Sequence, residues 1–207
     1  MQALVQSGYF AALAQYGVEA VTYAGSVEPA PACGSMAPSR LERLAIAQFV
    51  DCQVTNGQKP GNVVNMFLPP STIRNAARPA YLCGDDPRYR NLYAYHGSTE
   101  GAAAVPFTVV PSLCAINFTR ILRRTIVNGT LGFLTIGLTH EIVEALTNLF
   151  GSGWIDAGKG ANAGEIADIC EPAPYATFRT QPIPFSRGAL TAYWSNQDNR
   201  CVFGKAR

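Results

Sequence analysis

Charge is scarce in this chain. Asp, Glu, Lys and Arg together make up 14% of its 207 residues, and the net charge is +2. A balance so near neutral gives no electrostatic reason to invoke nucleic acid or an anionic membrane, so neither is an expected partner. Histidine is scarcer still, with only His96 and His140. A three-histidine zinc site therefore cannot be assembled within one chain, and any metal here must rely mostly on carboxylate, carbonyl or water ligands. No C-x-x-C pair occurs, which argues against a zinc ribbon or a thioredoxin-like centre. Also missing is an apolar run long enough to cross a bilayer, since residues 131–150 come nearest but hold His140, Glu141 and Glu144. The first residues, MQALVQSGYFAALAQYGVEAV, lack both a basic n-region and a continuous apolar h-region. They read as an amphipathic helix rather than as a signal peptide.

What is present points to an exported, compact chain. Hydrophobic residues reach 48%, enough for one buried core. The cysteines number six and are widely spread: Cys33, Cys52, Cys83, Cys114, Cys170 and Cys201. An even count in a Gly/Pro-rich chain suits three disulfides and an oxidising compartment, with six buried thiols as the alternative. Six cysteines allow fifteen pairings. Pairing of sequence neighbours is expected: Cys33–Cys52, Cys83–Cys114 and Cys170–Cys201. Asn117 and Asn128 stand in N-x-[ST] triplets, which matter only in a eukaryotic secretory route.

Hydrophobic spacing predicts helices over 2–16 and 40–53, and a mostly helical 115–150 broken near NGT. Strands are expected at VEAVTYAGSV, NVVNMFLPP, NLYAYHGS, VPFTVVPS and the terminal TAYWSNQDNRCVF, with residues 71–90 a long loop. The order is α+β. Residues 1–150 form an N-terminal lobe and 151–207 a C-terminal lobe of one compact domain.

The stretch LTIGLTHEIVEALTNLF poses the functional question. Positions four apart share a helix face, so His140 and Glu144 project together, with Glu141 about a hundred degrees round from His140. Leu138, Ile142, Leu146 and Leu149 should form the core side, leaving a polar strip with room around it. Buried charge without a partner costs several kcal/mol at least, so such groups normally shift their pKa, pair up or bind a cation. Histidine and glutamate at i and i+4, with a glutamate between, follow the zincin H-E-x-x-H logic with the second histidine replaced. That replacement favours harder ions, so calcium or manganese stand beside zinc. Downstream, GEIADIC offers Glu165 and Asp168 as further ligands, tethered by Cys170. Glu165 could instead begin a helix, and His140 and Glu144 could simply pair with each other.

HEIVEALTN, GWIDAG, GEIADIC and the closing YWSNQDNRCV resemble secreted bacterial and fungal zincin-like metallopeptidases with an HExxE helix. More distantly they resemble the plant EXORDIUM (phosphate-induced protein) family, as do YHG, PFTVVP and the N-terminal SGYFAALAQYGV. The resemblance spans nearly the whole chain in order. It implies export and a zincin-like α+β fold, with a small mixed sheet on a long active-site helix and an irregular, disulfide-tethered C-terminal lobe. It also implies His140 and Glu144 as helix ligands, Asp168 or Glu165 completing the site, and Glu141 as the base.

The leading expectation is a secreted, metal-dependent hydrolase with one divalent ion, zinc first, acting on peptides. His96 would donate to the developing oxyanion or touch substrate, although an ordinary half-buried histidine is the plainer reading. VPFTVVPS would offer an edge to an extended substrate. The alternative is a non-catalytic cell-wall binding protein with a structural metal, using Trp154, Tyr175, Tyr193 and Trp194 against glycan.

Overall fold

A computed structural model describes residues 1–34, 43–56, 64–68, 94–100, 104–111, 129–148, 153–159, 164–171, 180–183 and 188–204. The architecture is α+β. Its largest sheet has the order β1-β3-β2, where β1 is Val64–Leu68, β2 is Tyr95–Ser98 and β3 is Pro106–Pro111. β1 runs parallel to β3, and β2 antiparallel to it. The sheet is therefore mixed, as expected, but β3 is paired on both sides. VPFTVVPS cannot offer a free edge to a substrate, because its backbone groups already serve two ladders.

α1 (Gln2–Gln6) gives way at Gly8, which adopts φ +76°, and the chain continues as a 3₁₀ helix over Tyr9–Tyr16. One helix over 2–16 was expected. The left-handed glycine breaks it, since that conformation suits Gly and ends regular α-helix. Residues 18–27 form no strand, and Tyr23 and Val27 are exposed. α2 spans Arg43–Thr55 and is tied to the 3₁₀ turn Pro31–Cys33 by Cys33–Cys52.

α3 (Gly129–Thr147) is the central element and packs on β2 and β3, on β5 (Ala189–Thr191) and on the Tyr9–Tyr16 helix. It is apolar around much of its circumference, as a helix enclosed on several sides should be. Ile136, Leu138, Ile142 and Val143 join Leu4, Tyr9, Leu13, Val110, Ile166, Leu190, Tyr193 and Val202 in one core. That core draws on both lobes expected from the sequence. β5 also meets α3 by polar contacts, for Thr135 and Thr139 accept the N–H groups of Ala189 and Thr191.

The expected terminal strand is a hairpin, β6 (Tyr193–Ser195) against β7 (Arg200–Val202), turned at Asn199 with φ +50°. The remaining strand, β4 (Thr180–Pro182), pairs with β5. Cys170–Cys201 is formed as expected, and among the described residues no cysteine is free. Cys83, Cys114, Tyr175, Asn117 and the 71–90 loop lie outside the described residues. No described helix is long and apolar enough to cross a membrane.

Candidate metal centre

α3 supplies three of the site's side chains from one and a half turns. His140, Glu141 and Glu144 are all buried, with Glu144 2% exposed, so the expected open polar strip is in fact enclosed. The enclosing elements bring other ionisable groups with them. β2 contributes His96, on the face it shares with Thr108 and turned towards α3. The segment from Gly164 to Glu171 brings Glu165, Asp168 and Glu171.

Two tethers hold that acidic segment beneath α3. The disulfide Cys170–Cys201 joins it to β7, and Trp194 N–H donates to the Ile166 carbonyl at 2.8 Å. A third hold comes from the end of α3. Asn148 donates to Glu165 Oε1 at 2.7 Å and accepts from Gly153 N–H at 2.6 Å. At Gly153 a Cβ would drive into the Thr147 carbonyl and the Asn148 backbone. Only glycine lets the chain turn back so closely.

The side chains sort into two groups that share Glu144. In the first, His140 Nε2 lies 3.1 Å from Glu144 Oε1 and 3.4 Å from Asp168 Oδ1. The other nitrogen of that ring, Nδ1, lies 3.0 Å from Glu171 Oε1. In the second, His96 Nδ1 lies 3.0 Å from Glu141 Oε2 and 3.5 Å from Glu144 Oε2. Its Nε2 lies 3.3 Å from Glu165 Oε1. Glu144 Oε1 also accepts the Asp168 backbone N–H at 3.2 Å.

Electrostatics follow from burial and proximity. Burial pushes the His96 imidazolium down, but the hydrogen bonds it donates to Glu141, Glu144 and Glu165 outweigh this and hold the ring protonated up to about 12. Burial alone would raise Glu144, yet the charge and hydrogen bond of His140, with His96 adding to both, bring it down to about 2. Glu141 goes the other way, because burial outweighs its hydrogen bond to His96 and raises it above the usual carboxylate range. Burial likewise raises Asp168, reinforced by the charges of Glu144 and Glu171.

The structure thus brings together His140, Glu144 and Asp168, as the sequence reading expected. It places Glu165 elsewhere, beside His96 and Asn148 rather than with His140. His96 sits among carboxylates instead of standing apart as an oxyanion donor. Glu171 was missed altogether; its only signal is the spacing Glu165-x-x-Asp168-x-x-Glu171, three acids at intervals of three. Of the aromatics considered for glycan stacking, Tyr193 is fully buried, and Trp154 and Trp194 pack half-buried on the core.

The donor set suits a cation. Two ligand atoms about 2.0–2.1 Å from a tetrahedral zinc lie roughly 3.3 Å apart, close to the 3.1 and 3.4 Å around His140 Nε2. No protein-family model matches the chain, and comparison with curated proteins and with solved structures returned no match.

Proposed function

We propose that the chain is an exported, metal-dependent hydrolase acting on peptide bonds, with its metal held by His140, Glu144 and Asp168. The observation that most supports this is the convergence of His140 Nε2, Glu144 Oε1 and Asp168 Oδ1, with Glu171 against the far nitrogen of the same ring. A carboxylate in that position fixes the tautomer of a ligating histidine and turns its lone pair inward. A divalent ion there would polarise a carbonyl and lower the pKa of a bound water.

The chain's own groups then divide the work. Glu141, raised by burial, is better matched to accepting a proton near neutrality than an exposed glutamate would be. Among the described residues β2 stands last in its sheet and carries His96 into the site, so an extended substrate is better received along β2 than along β3. The zincin-like reading of the fold and the kinship with EXORDIUM proteins rest on the HEIVE helix and the GEIADIC segment. Zinc is the first candidate, with manganese or calcium favoured by each added carboxylate. The two disulfides among the described residues are consistent with an oxidising, extracellular location.

Metal content measured on protein purified without chelator, for wild type and His140→Ala, tests the reading. Near-stoichiometric zinc or manganese that the variant loses is the expected result, followed by metal-dependent cleavage of a peptide library. A metal-free wild type with an intact fold would overturn it.

One observation favours a second reading, a cell-wall binding protein with a structural metal. His140 and Glu144 are almost fully enclosed, and structural sites are closed where catalytic ones keep an open position. Bound calcium, retention on wall polysaccharide and no turnover of peptides would support it.

A further inference from the structure

We propose that Glu144 bridges two divalent cations, the second held by His96, Glu141 and the Oε2 atom of Glu144. The proposal rests on the metal reading of His140, Glu144 and Asp168 and adds to it a site built on β2.

Geometry repeats on the two sides of Glu144. Oε1 faces His140 and the Asp168 N–H, and Oε2 faces His96. Each imidazole presents one nitrogen to a Glu144 oxygen and to one further carboxylate, Asp168 in one case and Glu141 in the other. Behind each ring, the remaining nitrogen meets another acid, Glu171 or Glu165. The ligand separations agree as well. The donors around His96 Nδ1 stand 3.0 and 3.5 Å away, against 3.1 and 3.4 Å around His140 Nε2. Both pairs bracket the roughly 3.3 Å expected of neighbouring zinc ligands.

Charge gives an independent argument. Among the described residues, Glu141, Glu144, Glu165 and Asp168 form ion pairs only with His96 and His140. Even with both rings protonated, these four carboxylates leave a net negative charge of two in a largely buried space. One divalent cation beside neutral rings leaves the same deficit. Two divalent cations on neutral imidazoles offset these four carboxylates, leaving the charge of Glu171 beside His140 Nδ1, and uncompensated buried charge is the costlier alternative. Glu165, anchored by Asn148, then orients His96 as Glu171 orients His140. On this arrangement Glu141 is a ligand and not the proton acceptor.

The test is metal stoichiometry on the full chain, disulfides intact, dialysed against zinc and separately against manganese. Two ions per chain are expected in the wild type, and one in Glu141→Gln, His96→Gln and His140→Gln. In the manganese form the wild type should give an exchange-coupled electron paramagnetic resonance signal, and Glu141→Gln the spectrum of isolated manganese. The wild-type stoichiometry and coupling need no variant, so a misfolded substitution leaves the test standing. A single ion, kept by Glu141→Gln and lost by His140→Gln, would overturn the second site while leaving the hydrolase reading intact. Two ions without coupling would overturn the bridge. No ion in the wild type would overturn both readings.

Discussion

Glu171 supports the proposed centre through His140. Its Oε1 atom sits 3.0 Å from His140 Nδ1 and is positioned to keep Nε2 available as a ligand. Glu171→Gln should therefore weaken metal binding by about 10–100-fold, the usual cost of losing such a partner. Chelator competition measures this directly, and an unchanged affinity would remove Glu171 from the centre. The titrating groups make a second residue-scale prediction for the metal-free protein. His96 is raised from 6.5 to about 12, so its stabilising effect is complete below 6.5 and is lost as pH rises through the higher value. Glu144 is lowered from 4.5 to about 2, so its effect is complete above 4.5 and is lost as pH falls through the lower value. The shared window is pH 4.5–6.5. Glu141 and Asp168, both raised, also stabilise less as pH climbs. Chelator-treated protein should thus melt highest within that acidic window, and a Tm still rising towards pH 8 would contradict the cluster's assigned electrostatics.

Among the elements, the acidic segment is held in place by tethers from others. Cys170–Cys201 spans 31 residues of sequence and ties this segment to β7. Replacing both cysteines with alanine should cost about 2–5 kcal/mol of stability. It should also lower metal affinity, because Asp168 and Glu171 flank the bond. Denaturant unfolding and metal titration on the same variant separate the two effects. Gly153 presents a similar case at the end of α3. Gly153→Ala forces the backbone away from Thr147 and Asn148. The variant should lose about 1–3 kcal/mol, as overpacking usually does. It should also loosen Glu165 through Asn148, which a lower affinity for the second ion would register. A variant as stable as wild type would show that this turn can relax.

At the scale of the whole molecule, metal and fold should be linked. The core surrounding α3 draws on residues from Leu4 to Val202, and the proposed ligands come from β2, α3 and the acidic segment. An ion bound by all three stabilises only the assembled state. At a free concentration near one hundred times the dissociation constant, a single bound ion should add about 2.7 kcal/mol. Chelation should accordingly lower Tm, and zinc should restore it in a concentration-dependent way. A Tm indifferent to chelator would count against any tightly held ion.

Much of α3 was readable beforehand because helical geometry is local. Spacing of four places His140 and Glu144 on one face whatever the rest of the chain does. The same holds for β2 and β3, whose short β-rich runs stand where expected, and for the neighbouring cysteines Cys33 with Cys52 and Cys170 with Cys201. The break at Gly8 was less legible, since glycine in a helical pattern announces a left-handed residue only once its neighbours are packed. The meeting of His96 with Glu141, and of Glu171 with His140, was not legible at all. Those pairs lie 45 and 31 residues apart in sequence. The sequence by itself determined which groups are available: two histidines, a HEIVE helix and three acids at intervals of three. Tertiary structure alone decided how they are partitioned, because antiparallel pairing aims His96 at α3 and the Cys170–Cys201 tether folds the acids beneath it. Contacts of that range depend on packing between elements, and no local periodicity carries them.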